Sequence, residues 1–194
     1  MNFLAEDAFL TQDTFEIIDL DGDVVSTGTW GIWSGDYSVS DSFGELDETS
    51  AFHFAVGSQA TTDAQLASLA GNTLSYQQIG AISTNEVGAV GEYLATYTGT
   101  FAADPTLGTI TLTISPIVDF AAGSNSWNLT GAGTVADLIG PDGVFLSGTC
   151  SVCAGPAGIG AGMFLGPNAE GVITSVGASD GVNSFVSTHV AEEN

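Results

Sequence analysis

The chain has 194 residues, 23 of them acidic, with no lysine or arginine and a formal net charge of -23. Nucleic acids and anionic head groups are held by cationic side chains, so both classes of partner are disfavoured, and phosphoryl transfer lacks its usual charge clamps. The 44% hydrophobic content, with 11 Phe and 3 Trp, suffices for one core, and the length fits one β-rich domain.

Carboxylates without cationic partners repel one another, an effect that salt or divalent cations relieve. A calcium-containing setting outside the cell suits such a chain. The absence of Lys and Arg also leaves no cleavage site for proteases specific to them. No stretch has the apolar length of a membrane helix, and Met1 to Asp7 lack the positive start of a secretion signal. No membrane insertion is expected, and any export signal is expected to have been removed or to lie elsewhere.

Residues 1–22 read as an N-terminal arm. Phe3, Leu4, Phe9, Leu10, Phe15 and Ile17 fit neither the helical nor the strand period well, yet they need burial, on their own domain or on another copy. The arm ends in Asp19-Leu20-Asp21-Gly22-Asp23, whose alternate carboxylates resemble the start of a calcium loop. The bidentate Glu that would complete such a loop is replaced by Trp30, so Asp19, Asp21 and Asp23 make either a weak calcium site or a solvated turn.

Residues 23–194 read as an all-β domain. Short runs rich in Thr, Val, Ile and aromatic residues, separated by many of the 26 glycines, predict strands at 26–33, 51–56, 92–101, 109–115, 127–133, 143–147, 161–165, 172–176 and 182–190. They are numerous enough to close an antiparallel barrel. The clearest alternation sets Ile110, Leu112 and Ile114 on one face and Thr109, Thr111 and Thr113 on the other. One short surface helix is expected after Thr62, where Gln65 completes a capping box and Gly71 supplies the stop.

Trp30-Gly31-Ile32-Trp33, the run from Phe52 to Gly57, Leu74-Ser75-Tyr76, the segment from Gly91 to Phe101, and Gly162-Met163-Phe164-Leu165-Gly166-Pro167-Asn168-Ala169-Glu170-Gly171 follow one another in an order that resembles the C-terminal barrel domain of FecR-family surface proteins. That domain is itself similar to the barrels of transferrin-binding protein B. The resemblance runs from about Trp30 to the C-terminus and implies a closed barrel of roughly eight strands, but not one activity, since fold does not fix function. Related barrels resemble receptors for host iron proteins or haem. This chain departs from the pattern in lacking every basic residue.

Cys150 and Cys153 have the spacing of a redox pair, but glycines and Pro156 follow them instead of a helix, so a structural disulfide is expected. His53 and His189 lie far apart in sequence, and in a barrel they could meet to hold a metal or haem; polar positions on a strand face are the plainer reading. Asp41, Glu45, Asp47 and Glu48 read as a solvated acidic loop rather than a glycosidase pair. Trp30, Trp33 and Trp127 could form a ligand platform, with core packing the competing role. No nucleophile elbow accompanies either histidine. The chain is therefore expected to be a non-enzymatic, exported bacterial surface module that binds a macromolecule or small ligand, with no certain cofactor beyond candidate calcium. The alternative is a self-assembling subunit of an extracellular filament or coat, docking on copies of itself through the arm.

Overall fold

The computed structural model describes residues 2–41, 44–85, 95–102, 104, 107–114, 117–120, 123–150, 153, 155–182 and 184–194. Their elements, in chain order, are β1 (Asn2–Ile18), β2 (Val24–Asp41), β3 (Gly44–Gly57), α1 (Asp63–Ser68), β4 (Thr73–Asn85), β5 (Ala95–Thr100), β6 (Thr109–Ile114), β7 (Ile117–Phe120), β8 (Gly123–Thr134), α2 (Val135–Ile139), β9 (Val144–Cys150), β10 (Ala157–Leu165), β11 (Gly171–Ser179) and β12 (Ser184–Glu193).

Eight strands close an antiparallel barrel in the order β4, β12, β11, β10, β9, β8, β6, β5 and back to β4. Closure comes from β6 pairing with β8, Thr109 opposite Thr134 and Ile114 opposite Leu129, while β7 forms a hairpin on β8 outside the ring. Period-two side-chain alternation fills the inside. Ile110 and Leu112, Trp127 and Leu129, and Val144 and Leu146 are each at most 2% exposed, whereas Thr111, Asn128, Thr130 and Phe145 face out. Tyr76, Tyr97, Phe101 and Phe164 complete a packed interior, with Phe101 edge-on to Phe164 at 5.3 Å.

β1, β2 and β3 form a separate three-stranded antiparallel sheet. Residue 23 thus falls in the turn between two paired strands of this sheet, and β2 and β3 pair with β1 rather than in the barrel wall. The reason lies in their apolar faces: Phe15, Ile17 and Trp30 bury against Leu165, Ile173 and Val190, side chains on the outside of the wall. Ile17 lies against Gly171, where an added Cβ would stand 2.8 Å from it, and the Trp30 indole covers Gly80, whose added Cβ would overlap the ring at 2.2 Å. The Ile18 amide donates to the Glu192 carboxylate, tying the end of β1 to β12.

The side chains of Phe15 and Ile17 are thus packed on their own barrel. The side chains of Phe3, Leu4, Phe9, Leu10 and Trp33 lie outside the described residues. Trp30 and Trp127 are buried and form no exposed ligand platform.

The helix expected after Thr62 is α1. Its capping box is complete, with the Thr62 amide donating to Gln65 Oε1 at 2.8 Å. A second helix, α2, went unanticipated although Thr134 and Asp137 repeat the same box. Bonds from Thr134 hold the Asp137 carboxyl below its ordinary pKa. Ile17→Ala is expected to lower unfolding free energy in urea by about 2–4 kcal/mol, the cost of a cavity at a fully buried Ile; a change within error would mean that β1 contributes nothing to the wall.

Candidate functional site

Asp19, Asp21 and Asp23 occupy the β1–β2 turn. Asp19 Oδ1 accepts the amides of Asp21 at 3.0 Å and Asp23 at 2.9 Å, and Gly22 takes a φ of +91°, a conformation that suits glycine. One of the three carboxylates therefore closes the turn through backbone donors. Among the described residues, no group of three or more His, Cys, Asp or Glu side chains is placed to hold a metal ion. Asp47 and its acidic neighbours lie on β2 and β3, and their side chains are outside the described residues.

Cys150 and Cys153 form a disulfide, with Cα atoms 5.5 Å apart. Cys150 ends β9 opposite Trp127, and both cysteines pack against the barrel core. The bond thus fixes the exit of β9 at the rim.

Of the two histidines, His53 lies on β3 and His189 on β12. His189 is completely buried on β12 opposite Thr174, which shares a 2.6 Å hydrogen bond with the Tyr97 hydroxyl. Its Nδ1 stands 3.0 Å from Gln78 Oε1 and its Nε2 stands 2.7 Å from Ser187 Oγ. An amide oxygen only accepts, so Nδ1 carries the proton and Nε2 accepts from the serine.

This Ser187–His189–Gln78 chain has the connectivity of a hydrolase relay, with an amide where the acid belongs. Gln78 orients the ring but brings no negative charge to offset an imidazolium. Burial, and secondarily His53, lowers the His189 pKa to about 3. Ser187 is also fully buried. Both ring nitrogens of His189 are thus engaged by side chains of the same wall. Sequence reading noticed His189 but missed Ser187, though their two-residue spacing on one strand was a visible signal. Gln78 became legible only through the pairing of β12 with β4.

The turn from Gly166 to Glu170 is tied down on several sides. Glu170 is 4% exposed, and its carboxylate accepts the Asn168 amide at 2.9 Å and the Asn168 side-chain nitrogen at 2.8 Å. Gly166 has a φ of +83°, and a Cβ there would lie 2.2 Å from Glu170 Oε2. The turn is tied to the β3–α1 connection by Thr61 Oγ1 donating to the Gly166 carbonyl at 2.7 Å, and to β4 by the Tyr76 hydroxyl donating to the Ala169 carbonyl at 2.8 Å. Burial, then Glu193 and Glu170, raise the Tyr76 pKa, so its phenol stays a donor. Burial and the charge of Glu170 also raise the Glu193 carboxyl.

No protein-family model matches the chain, and no curated protein matches it. Among solved structures, intact Ap-TbpB, with its N and C lobes, is similar at a TM-score of 0.35 and 14% identity, covering 98% of this chain and 39% of that one. The chain thus spans well under half of that protein's length.

Gly166→Ala combines a strained φ with a clash against Glu170, and is expected to cost about 1–3 kcal/mol by urea denaturation. The His189 pKa gives a second expectation. Its folded value, about 3, is below the ordinary 6.5, so its contribution is complete above 6.5 and is lost as pH falls toward 3, at up to about 1.4 kcal/mol per pH unit. In urea titrations across that window, His189→Asn should show a shallower acid-induced loss than the native chain; equal slopes would mean that His189 does not resist protonation.

Proposed function

We propose that this chain is a non-enzymatic, exported barrel module of a bacterial surface, holding a macromolecule or small ligand at its loops and outer faces. The observation that carries this reading is the filled interior. Side chains of Trp127, Tyr76, Tyr97 and Phe164 occupy the space where a ligand-carrying barrel would be hollow, and the only histidine relay described is sealed among them. Binding then falls to the outside of a rigid frame. The disulfide supports an oxidising compartment, where such bonds persist. Among the described residues, no helix is long and apolar enough to cross a membrane.

Self-assembly through the arm has less support, because Phe15 and Ile17 are already committed to their own wall. A second copy also brings another 23 carboxylates and no cation to meet them.

On cells that produce the full chain, externally added chymotrypsin is expected to remove it and trypsin to leave it whole, with Cys150 and Cys153 refusing alkylation until reduced. Protection from chymotrypsin together with immediate alkylation of both thiols would overturn the export reading. Light scattering of the purified chain should give the monomer mass with and without calcium; large assemblies in either condition would favour the filament alternative.

A further inference from the structure

The outer wall of the barrel has two apolar areas with different fates. One, around Ile173 and Val190, lies under the three-stranded sheet. The other lies farther along the same strands and has no described element over it. Strand register sets Phe145, Ile159, Gly177 and Val186 side by side across β9, β10, β11 and β12. Phe145 is 65%, Ile159 51% and Val186 40% exposed. Between the two areas runs a polar row in which Ser175 and Thr188 hydroxyls stand 3.2 Å apart.

Gly177 interrupts this exposed row. A Cβ built there meets nothing within 4 Å, so the missing side chain leaves an open slot between Ile159 and Val186. Gly158, which also lines it, cannot carry a side chain, because a Cβ would fall 2.3 Å from the Gly177 carbonyl oxygen. The resulting shallow trough has a volume of about 470 Å³, and Ser179 and Ser184 also line it. No cation lines it, and the residues next to it along the chain are acidic: Asp142 adjoins Gly143, which abuts Ile159, and Asp180 follows Ser179 into the β11–β12 turn.

An exposed apolar row with a vacant position in it offers an apolar side chain of a partner a place to be buried. The charge selects the occupant. A second copy would bring only carboxylates to these aspartates, and a bare cationic polymer would leave the trough unfilled. A cationic polypeptide with an apolar side chain satisfies both. We infer that this wall docks a lysine- or arginine-rich segment of a partner protein, which inserts one apolar side chain into the slot over Gly177 between Ile159 and Val186.

This deepens the reading of the chain as a binding module and rests on it. That reading fails if the chain is not exported, whereas the docking site fails by the following titration of the purified full chain. Two lysine-rich peptides that differ only in a central residue, phenylalanine or serine, are compared by calorimetry at physiological salt. The phenylalanine peptide is expected to bind about tenfold more tightly, the increment that burial of part of an aromatic ring provides. Gly177→Leu fills the slot into open space without changing net charge, and should bring the phenylalanine peptide down to the level of the serine peptide; unchanged circular dichroism establishes that the barrel persists. Ile159→Asn should act in the same direction. Equal affinity of the two peptides for the native chain, or a phenylalanine preference that survives Gly177→Leu, would overturn the proposal.

Discussion

A chain with 23 carboxylates and no lysine or arginine must satisfy its buried carboxylates with neutral donors. The consequences appear wherever polarity enters the core. Glu170 would ordinarily take a cationic partner on burial; here Asn168 supplies both hydrogen bonds, and the turn is shaped so that it can. His189, far from any anion-stabilised relay, is held neutral between an amide and a hydroxyl. At the barrel end, burial first and neighbouring carboxylates second make Tyr76 and Glu193 keep their protons more tightly.

The same constraint governs the outside. Self-repulsion among carboxylates opposes compaction, so the barrel depends on apolar burial in two layers: a packed interior, and a second cluster where β1, β2 and β3 cover part of the wall. Glycines make that second layer intimate, since the Trp30 ring and Ile17 press onto Gly80 and Gly171. The wall left uncovered at Phe145, Ile159 and Val186 is the counterpart of this cover. There, glycine at 177 creates space that no described side chain fills.

Much of the barrel could be read from period-two patterning. Ile110 and Leu112 turn inward as their alternation with threonine required, because a strand with one buried face has little freedom in register. The capping box at Thr62 specified α1 through purely local hydrogen bonds. The equivalent box at Thr134 was equally local, but it lay after a strand-like run and its helix is short, so the surrounding β pattern hid it.

What the amino-acid sequence alone determined were properties carried by composition and by neighbours along the chain: the all-β class, the disulfide between close cysteines, the Asp19–Asp23 turn and the absence of any ion pair with Lys or Arg. Tertiary structure decided the rest. Whether Phe15 and Ile17 formed an arm or a cover depended on an apolar patch contributed by Leu165, Ile173 and Val190, far away in sequence. The tautomer of His189 is set by Gln78, brought beside it by the pairing of β12 with β4. The outer row through Gly177 exists only because four strands align in one register. Local patterns fix which face of a strand is apolar, but only long-range pairing fixes what that face meets.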